Sequence, residues 1–327
     1  MRRRDFIAGF AGTMAWPVLV RAQPTMPVIG YLNPGSPAEV EATDVLPAFR
    51  RGLAKVGYVE GRNVAIEYRF ANKDNARLPA LAKDLAGRGV AVIAAVGGSA
   101  PALAAKAAST TIPIVFRTGA DPVRLGLVAS LNRPGGNLTG ISAIGHLLTG
   151  KRLELIRELV PKLSVVASLI NQASFENEVE WKDFETAVQP LGISLVRVEA
   201  STPAEIDRAF GMLVEKQAQA LLAGDDAFFY FQREQLVSLA ARYRVPTIYH
   251  AREAVEAGGL MSYGQNNSDG HRRAGVYTGR ILKGERPADL PVEQATRLEM
   301  LLNRKTARTL GLAVPETLLV EADEVIE

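Results

Sequence analysis

Cysteine is absent from all 327 residues, which excludes disulfide frameworks, thiolate metal centres and thiol-linked lipid anchors. Histidine occurs three times, at His146, His250 and His271, without the HExxH or similar spacing that a zinc site requires. Aromatic residues make up only 6% of the chain, and no apolar run approaches the roughly 18 residues of a membrane span. There is no G-x-S-x-G nucleophile elbow, and no G-x-G-x-x-G follows a strand-like run. Nor is there a large excess of one charge: 38 Lys+Arg against 35 Asp+Glu leave a net charge of +3. With 47% hydrophobic residues, the composition is that of a globular chain able to bury a core.

The small positive excess has a local origin. The chain opens MRRRDFIAGFAGTMAWPVLVRAQ, where Arg2, Arg3 and Arg4 precede a glycine-diluted apolar stretch, Phe6 to Val20. Val20-Arg21-Ala22 then offers small or apolar residues at the −3 and −1 positions of a signal-peptidase site. Arg3-Arg4-Asp5-Phe6-Ile7 resembles a twin-arginine export signal, so residues 1–22 read as a leader removed on the way to a periplasm. That segment holds four Arg and one Asp. The remaining chain has 34 basic and 34 acidic residues, and the electrostatic argument for nucleic acid disappears. The expected mature protein is periplasmic, soluble, unlipidated and monomeric.

From Pro27 onward, short β-branched runs alternate with segments of helical period, the pattern of βαβ units and parallel sheets. The pattern is written twice. Strands expected at Val28 to Leu32, Asn63 to Tyr68, Val90 to Val96 and Ile112 to Phe116 have counterparts at Val165 to Ile170, Ser194 to Val198, Ala220 to Ala223 and Val245 to Tyr249. The punctuation repeats too: Asn33 and Asn171 end the first strands, Gly57 and Gly192 end the first helices, and Pro113 and Pro246 follow the first residue of the fourth strands. The expectation is α/β: two doubly wound, Rossmann-like parallel-sheet lobes, the first from 27–140 plus about 265–290, the second from 141–264 plus about 291–302. Residues 303–327 form a helical tail of unassigned lobe. Three interlobe connections place hinge residues at Asn137, Thr139, Gly140, Gly264 and Pro291.

These features together resemble a type I periplasmic binding protein, and more narrowly the ABC-transporter substrate-binding family that includes aromatic-amino-acid binders of the tryptophan-uptake type. The resemblance is carried by Phe49 to Gly61 (FRRGLAKVGYVEG), Asp121-Pro122-Val123, Arg133 to Gly140 (RPGGNLTG), Leu282 to Val292 (LKGERPADLPV) and the tail from Asn303. It implies capture of a small solute between two lobes and delivery to a membrane permease. The solute itself is left open.

Ligands of parallel α/β sheets bind beyond the carboxyl ends of the strands, so residues just past those ends are the candidates. In the first lobe these are Asn33, Ser36, Gly97, Gly98, Ser99, Arg117, Thr118 and Asp121. The helix opened by Gly98-Ser99 offers free N–H groups and the positive end of its dipole to a carboxylate. In the second lobe they are Asn171, Gln172, Asp225, Asp226, Tyr249 and His250, with Asp225 or Asp226 for a ligand ammonium. Tyr31, Phe175, Phe228, Tyr249 and above all Tyr263 are candidate aromatic walls. Gly145 to Lys151 fits G-x-x-x-x-G-K, but Arg152 stands where a phosphate loop needs Ser or Thr, which disfavours a nucleotide-dependent enzyme. No catalytic residue, metal or cofactor is expected; a ligand sensor acting on a membrane receptor is the alternative to an importer component.

Overall fold

The computed structural model describes residues 26–327 except 144, 176, 295 and 296, and all of His146 but its side chain. The leader at 1–22 lies outside the described residues. Thirteen strands among the described residues form two sheets. The first half supplies β1 (Val28–Asn33), β2 (Ala65–Phe70), β3 (Val92–Val96), β4 (Ile114–Thr118) and β5 (Leu138–Ser142). The second supplies β6 (Val165–Ile170), β7 (Ser194–Glu199), β8 (Ala220–Ala223), β9 (Thr247–Tyr249) and β10 (Met261–Gln265). Three more follow: β11 (Glu293–Gln294), β12 (Leu298–Asn303) and β13 (Glu324–Ile326).

The sheet orders are β11-β5-β4-β3-β1-β2 and β13-β12-β10-β9-β8-β6-β7. Without the edge additions, both read second, first, third, fourth, fifth, the doubly wound order with a switch point beside the first strand. The punctuation shared in sequence is therefore a shared topology. Central strands such as β1, β3 and β4 are buried on both faces, because helices cover each side of a parallel sheet. Two apolar clusters flank each sheet, built around Phe49 and Phe116 in the first lobe and around Leu302 and Phe210 in the second.

Several boundaries differ from expectation. The RPGGNLTG segment was expected to be hinge. Instead Leu138 to Ser142 is an interior strand, paired with β4 on one side and β11 on the other. Asn137 Nδ2 donates to the carbonyls of Ile112 (2.7 Å) and Ser109 (3.2 Å), and buried Thr139 donates to the Leu290 carbonyl at 2.6 Å. Gly140 is there because a Cβ would lie 2.1 Å from the Phe116 carbonyl oxygen. Gly264 likewise sits inside β10. Pro291 precedes the crossing, since its carbonyl accepts from Tyr277 and the chain next pairs with β5 through β11. The chain thus passes between sheets after Ser142, after Gln265 and after Gln294. The tail is not purely helical. Helices Arg304–Leu310 and Glu316–Glu321 lead to β13, which joins the second sheet beside β12, itself antiparallel to β10.

Helix Asn267–Leu282 returns to the first lobe and packs on helix Val45–Lys55. Glycines make this close: a Cβ on Gly52 would fall 1.9 Å from the Arg272 carbonyl oxygen, and one on Gly275 2.1 Å from that of Phe49.

Candidate solute-binding cleft

The carboxyl ends of the two sheets face each other across a cavity of about 670 Å³, partly open to solvent. The first lobe lines it with Asn33 after β1, Gly97 and Gly98 after β3, Arg117 and Gly119 at the end of β4, and Asn267 and His271 from the returning helix. The second contributes Arg152, Asp225, Asp226, Ala227, Tyr230, Phe231, His250 and Gln265. A second chamber of about 730 Å³ adjoins it, sharing Gly119, Gly145, Arg152 and Asp225 and adding Asp121, Phe175 and Glu180.

Local backbone chemistry builds the first-lobe wall. Gly97 and Gly98 have φ of +103° and +114°, a region L side chains rarely adopt, and a Cβ on Gly97 would reach 2.8 Å from Pro34. This bend turns β3 into helix Ser99–Ala108 with Gly98 as its N-cap. Ser99 is the first helical residue, and its hydroxyl pairs with that of Thr118 at 2.7 Å. Asn33, fully buried, ties β1 to the bend by donating to the Val96 carbonyl at 3.1 Å and accepting from Gly35 N–H at 2.8 Å.

The second-lobe wall is acidic, with its two aspartates in different roles. Asp226 caps helix Ala227–Phe231, accepting from Phe228 N–H at 2.8 Å and from Asn171 Nδ2 at 2.9 Å. Burial raises its pKa. Asp225 faces the cavity, 3.3 Å from Arg152 Nη2 and 3.9 Å from His250 Nε2. Burial opposes its charge, but the fields of His250 and Arg152 outweigh this and hold the carboxyl low. His250 is itself depressed by burial, so the lasting counter-charge is Arg152. Arg152 is anchored by donating Nε–H to the Tyr263 carbonyl at 2.8 Å. Glu180 accepts the Asp225 N–H at 2.7 Å, and burial, then the neighbouring aspartates, push its pKa up to about 8.

Asn33, Gly98, Asp225 and Asp226 therefore line one cavity, as expected, with Ser99 at its edge. Gly97, Arg117 and His250, also named as candidates, line it too, while several other expectations need correction. Tyr249 points away from the cleft into the second-lobe core, because the strand alternation that aims His250 at the cavity turns its neighbour inward. Tyr263 presents its carbonyl to Arg152, while its ring packs on the opposite core. Tyr31 is fully buried beneath the first lobe. Asn171 stands behind Asp226, and Asp121 stabilises its own turn by accepting from the N–H groups of Val123 (2.8 Å) and Arg124 (3.3 Å). Lys151 pairs with Glu321 of the tail at 2.8 Å. Arg152, Tyr230, Phe231, Gln265, Asn267 and His271 were missed as lining. Phe231 bridges the lobes: Gly35 sits against its ring, and Lys73 Nζ donates to its carbonyl at 3.2 Å. The lobes are thus in contact.

This duplicated architecture, with a polar cleft between its halves, has close relatives. A family model described as ABC transporter substrate binding protein matches residues 42–326. The chain belongs to that family. Among relatives of this substrate-binding protein, a tyrosine-binding protein of Clostridioides difficile is 26% identical over 264 residues, 81% of this chain and 75% of the relative. The ABC domain in complex with L-Trp from Streptococcus pneumonia superposes with a TM-score of 0.83 at 25% identity, covering 92% of this chain and 99% of that one. A ligand-free, open substrate-binding protein with adhesive properties from Clostridium difficile has the same identity and coverage but a TM-score of 0.65. The substrate-binding protein is the solute-binding component of an ABC import system, and delivery to a permease follows from its family.

Proposed function

We propose that this substrate-binding protein is exported to the periplasm as a monomer and closes on an amino acid with an aromatic or branched side chain. The observation that carries this reading is the division of charge across the cleft. Gly98 and the first turn of helix Ser99–Ala108 face Asp225 and Asp226. The helix N-terminus suits an α-carboxylate, and ionised Asp225 suits the ammonium beside it. Val45, Tyr230 and Phe231 give the cavity an apolar wall for the side chain. The tyrosine- and tryptophan-binding relatives support the same ligand class. Binding between the lobes joins surfaces carried by separate sheets, so ligand favours the closed arrangement.

A thermal-shift screen of the purified protein against the common amino acids tests the reading. A ligand at 100 times its Kd stabilises the fold by about 2.7 kcal/mol, a shift of several degrees for a chain of this size. If no amino acid shifts the transition while other metabolites do, the ligand class is wrong.

A further inference from the structure

Side chains alternate along a strand, so the two residues ending β4 look in opposite directions. Thr118 points to helix Ser99–Ala108, where its hydroxyl meets Ser99. Arg117 points to the other side, onto the first turn of helix Asn267–Leu282. Gly270 makes room for it: a Cβ there would lie 2.5 Å from Arg117 Nε. One guanidinium nitrogen donates to Asn267 Oδ1 at 2.5 Å, but Arg117 Nε finds no hydrogen-bond partner among the described residues. Among the described residues no carboxylate oxygen comes within 4.0 Å of this guanidinium, although only 9% of Arg117 is exposed.

His271, 3% exposed, lines the same cavity from the next position of that helix. Its Nδ1 lies 2.8 Å from the Asn267 carbonyl. A carbonyl only accepts, so Nδ1 carries the proton. Burial, reinforced by the charge of Arg117, depresses the ring to about 3, which keeps it neutral and leaves Nε2 as a bare acceptor. Nε2 has no partner among the described residues either.

Two neighbouring side chains of the cavity lining therefore carry an unpaired cationic donor and an unpaired neutral acceptor, both desolvated. Buried polar atoms without partners are costly, so ligands that satisfy both are selected. A carboxylate pairs with Arg117 but meets the lone pair of His271. An ammonium does the reverse. A bare hydrocarbon edge satisfies neither. A hydroxyl accepts from one and donates to the other through a single oxygen.

We propose that Arg117 and His271 form a hydroxyl-reading subsite, so that the preferred ligand is an amino acid whose side chain ends in a hydroxyl, a phenol in particular. The assignment rests on the amino-acid reading above, in which Gly98 and Asp225 of the same cavity hold the α-carboxylate and ammonium. Tyr230 and Phe231 line the same cavity and suit a ring.

Calorimetric titration with L-tyrosine and L-phenylalanine isolates the hydroxyl, since the two differ in nothing else. The expected result is tyrosine binding at least about 50-fold tighter. His271→Phe removes the acceptor, and the preference should then fall below about fivefold, mainly through weaker tyrosine binding. Should that variant fail to fold, the imidazole ¹⁵N spectrum of the unaltered protein reads the same contact: Nε2 of His271 shifts with tyrosine and not with phenylalanine. Equal affinity for both amino acids overturns the subsite and leaves the amino-acid reading standing, as does tighter binding of glutamate or aspartate. Binding of no amino acid overturns both.

Discussion

The two lobes share one strand order, yet they bring opposite chemistry to the cleft between them. The first builds its wall from backbone: the left-handed glycines Gly97 and Gly98, a helix N-terminus, and a cation, Arg117, held on Gly270. The second builds its wall from carboxylates, with Asp226 spent on capping and Asp225 left to face the ligand. The lesson is that duplication conserved the places where side chains emerge and not the groups that occupy them. Residues following the third strands are Gly97-Gly98-Ser99 in one half and Gly224-Asp225-Asp226 in the other. A zwitterion needs such unlike partners, and a cleft between identical lobes would lack them.

If the tasks are divided in this way, removing the second-lobe anion should cost most. Asp225→Ala deletes the ammonium partner and strips Arg152 of its counter-ion. We expect amino-acid affinity to fall about 100-fold or more, since breaking a charge-assisted buried contact costs about 2–4 kcal/mol. Calorimetry reads this directly, and an unchanged Kd would move the ammonium site away from the second lobe. The first-lobe counterpart is Gly98→Ala. Its Cβ must tolerate φ of +114° and would lie 3.3 Å from the Cβ of Ala227 across the cleft. The strain predicts a loss of about 1–2 kcal/mol in urea unfolding, with about tenfold weaker binding because the lobes no longer meet. Full affinity in this variant would show that the glycine bend is mere connection.

Much of this was legible in the sequence because it depends on local rules. Strand-helix alternation, the glycine and proline punctuation and the positions after strand ends led to the two sheets and to Asn33, Gly98, Asp225 and Asp226. What was not legible depends on crossings. β5 hides in a proline- and glycine-rich segment, and only its neighbours β4 and β11 make it a strand. Asn267 and His271 come from a helix that enters the first lobe after passing through the second, and Arg152 from the helix following the first crossing. Tyr249 and Tyr263 were misplaced because proximity to a strand end does not say which face a ring takes. Strand parity was the available signal: His250, which does line the cleft, is the immediate neighbour of Tyr249.

The second-lobe wall also stores a proton, a difference from the first that pH can expose. Glu180 has its pKa raised from the ordinary 4.5 to about 8. The folded state therefore binds this proton more tightly than the unfolded chain, so the contribution is full below about pH 4.5 and is lost as pH rises through about 8. Glu180→Gln should match the unaltered protein near pH 4 and melt at a progressively higher temperature than it as pH rises towards 8. Parallel melting curves for the two proteins across that range would mean Glu180 is ionised in the fold.

The smallest effect concerns the helix that carries both Lys151 and Arg152. Neighbouring residues on a helix point about 100° apart, so one faces the cleft and the other the tail. Lys151 meets Glu321 with 33% and 45% of the two side chains exposed. Half-exposed pairs of this kind are worth about 0.2–1 kcal/mol. Lys151→Ala should therefore change stability by less than about 1 kcal/mol and leave amino-acid affinity within twofold. A phosphate loop predicts something quite different, because its lysine reaches the phosphates and cannot be spared. If Lys151→Ala abolished a nucleotide-dependent activity, the resemblance of Gly145 to Lys151 to such a loop would be chemical. If ligand binding instead survives unaltered, the glycines serve packing: Gly145 leaves room for Asp225, where a Cβ would otherwise lie 1.9 Å from its carboxylate oxygen.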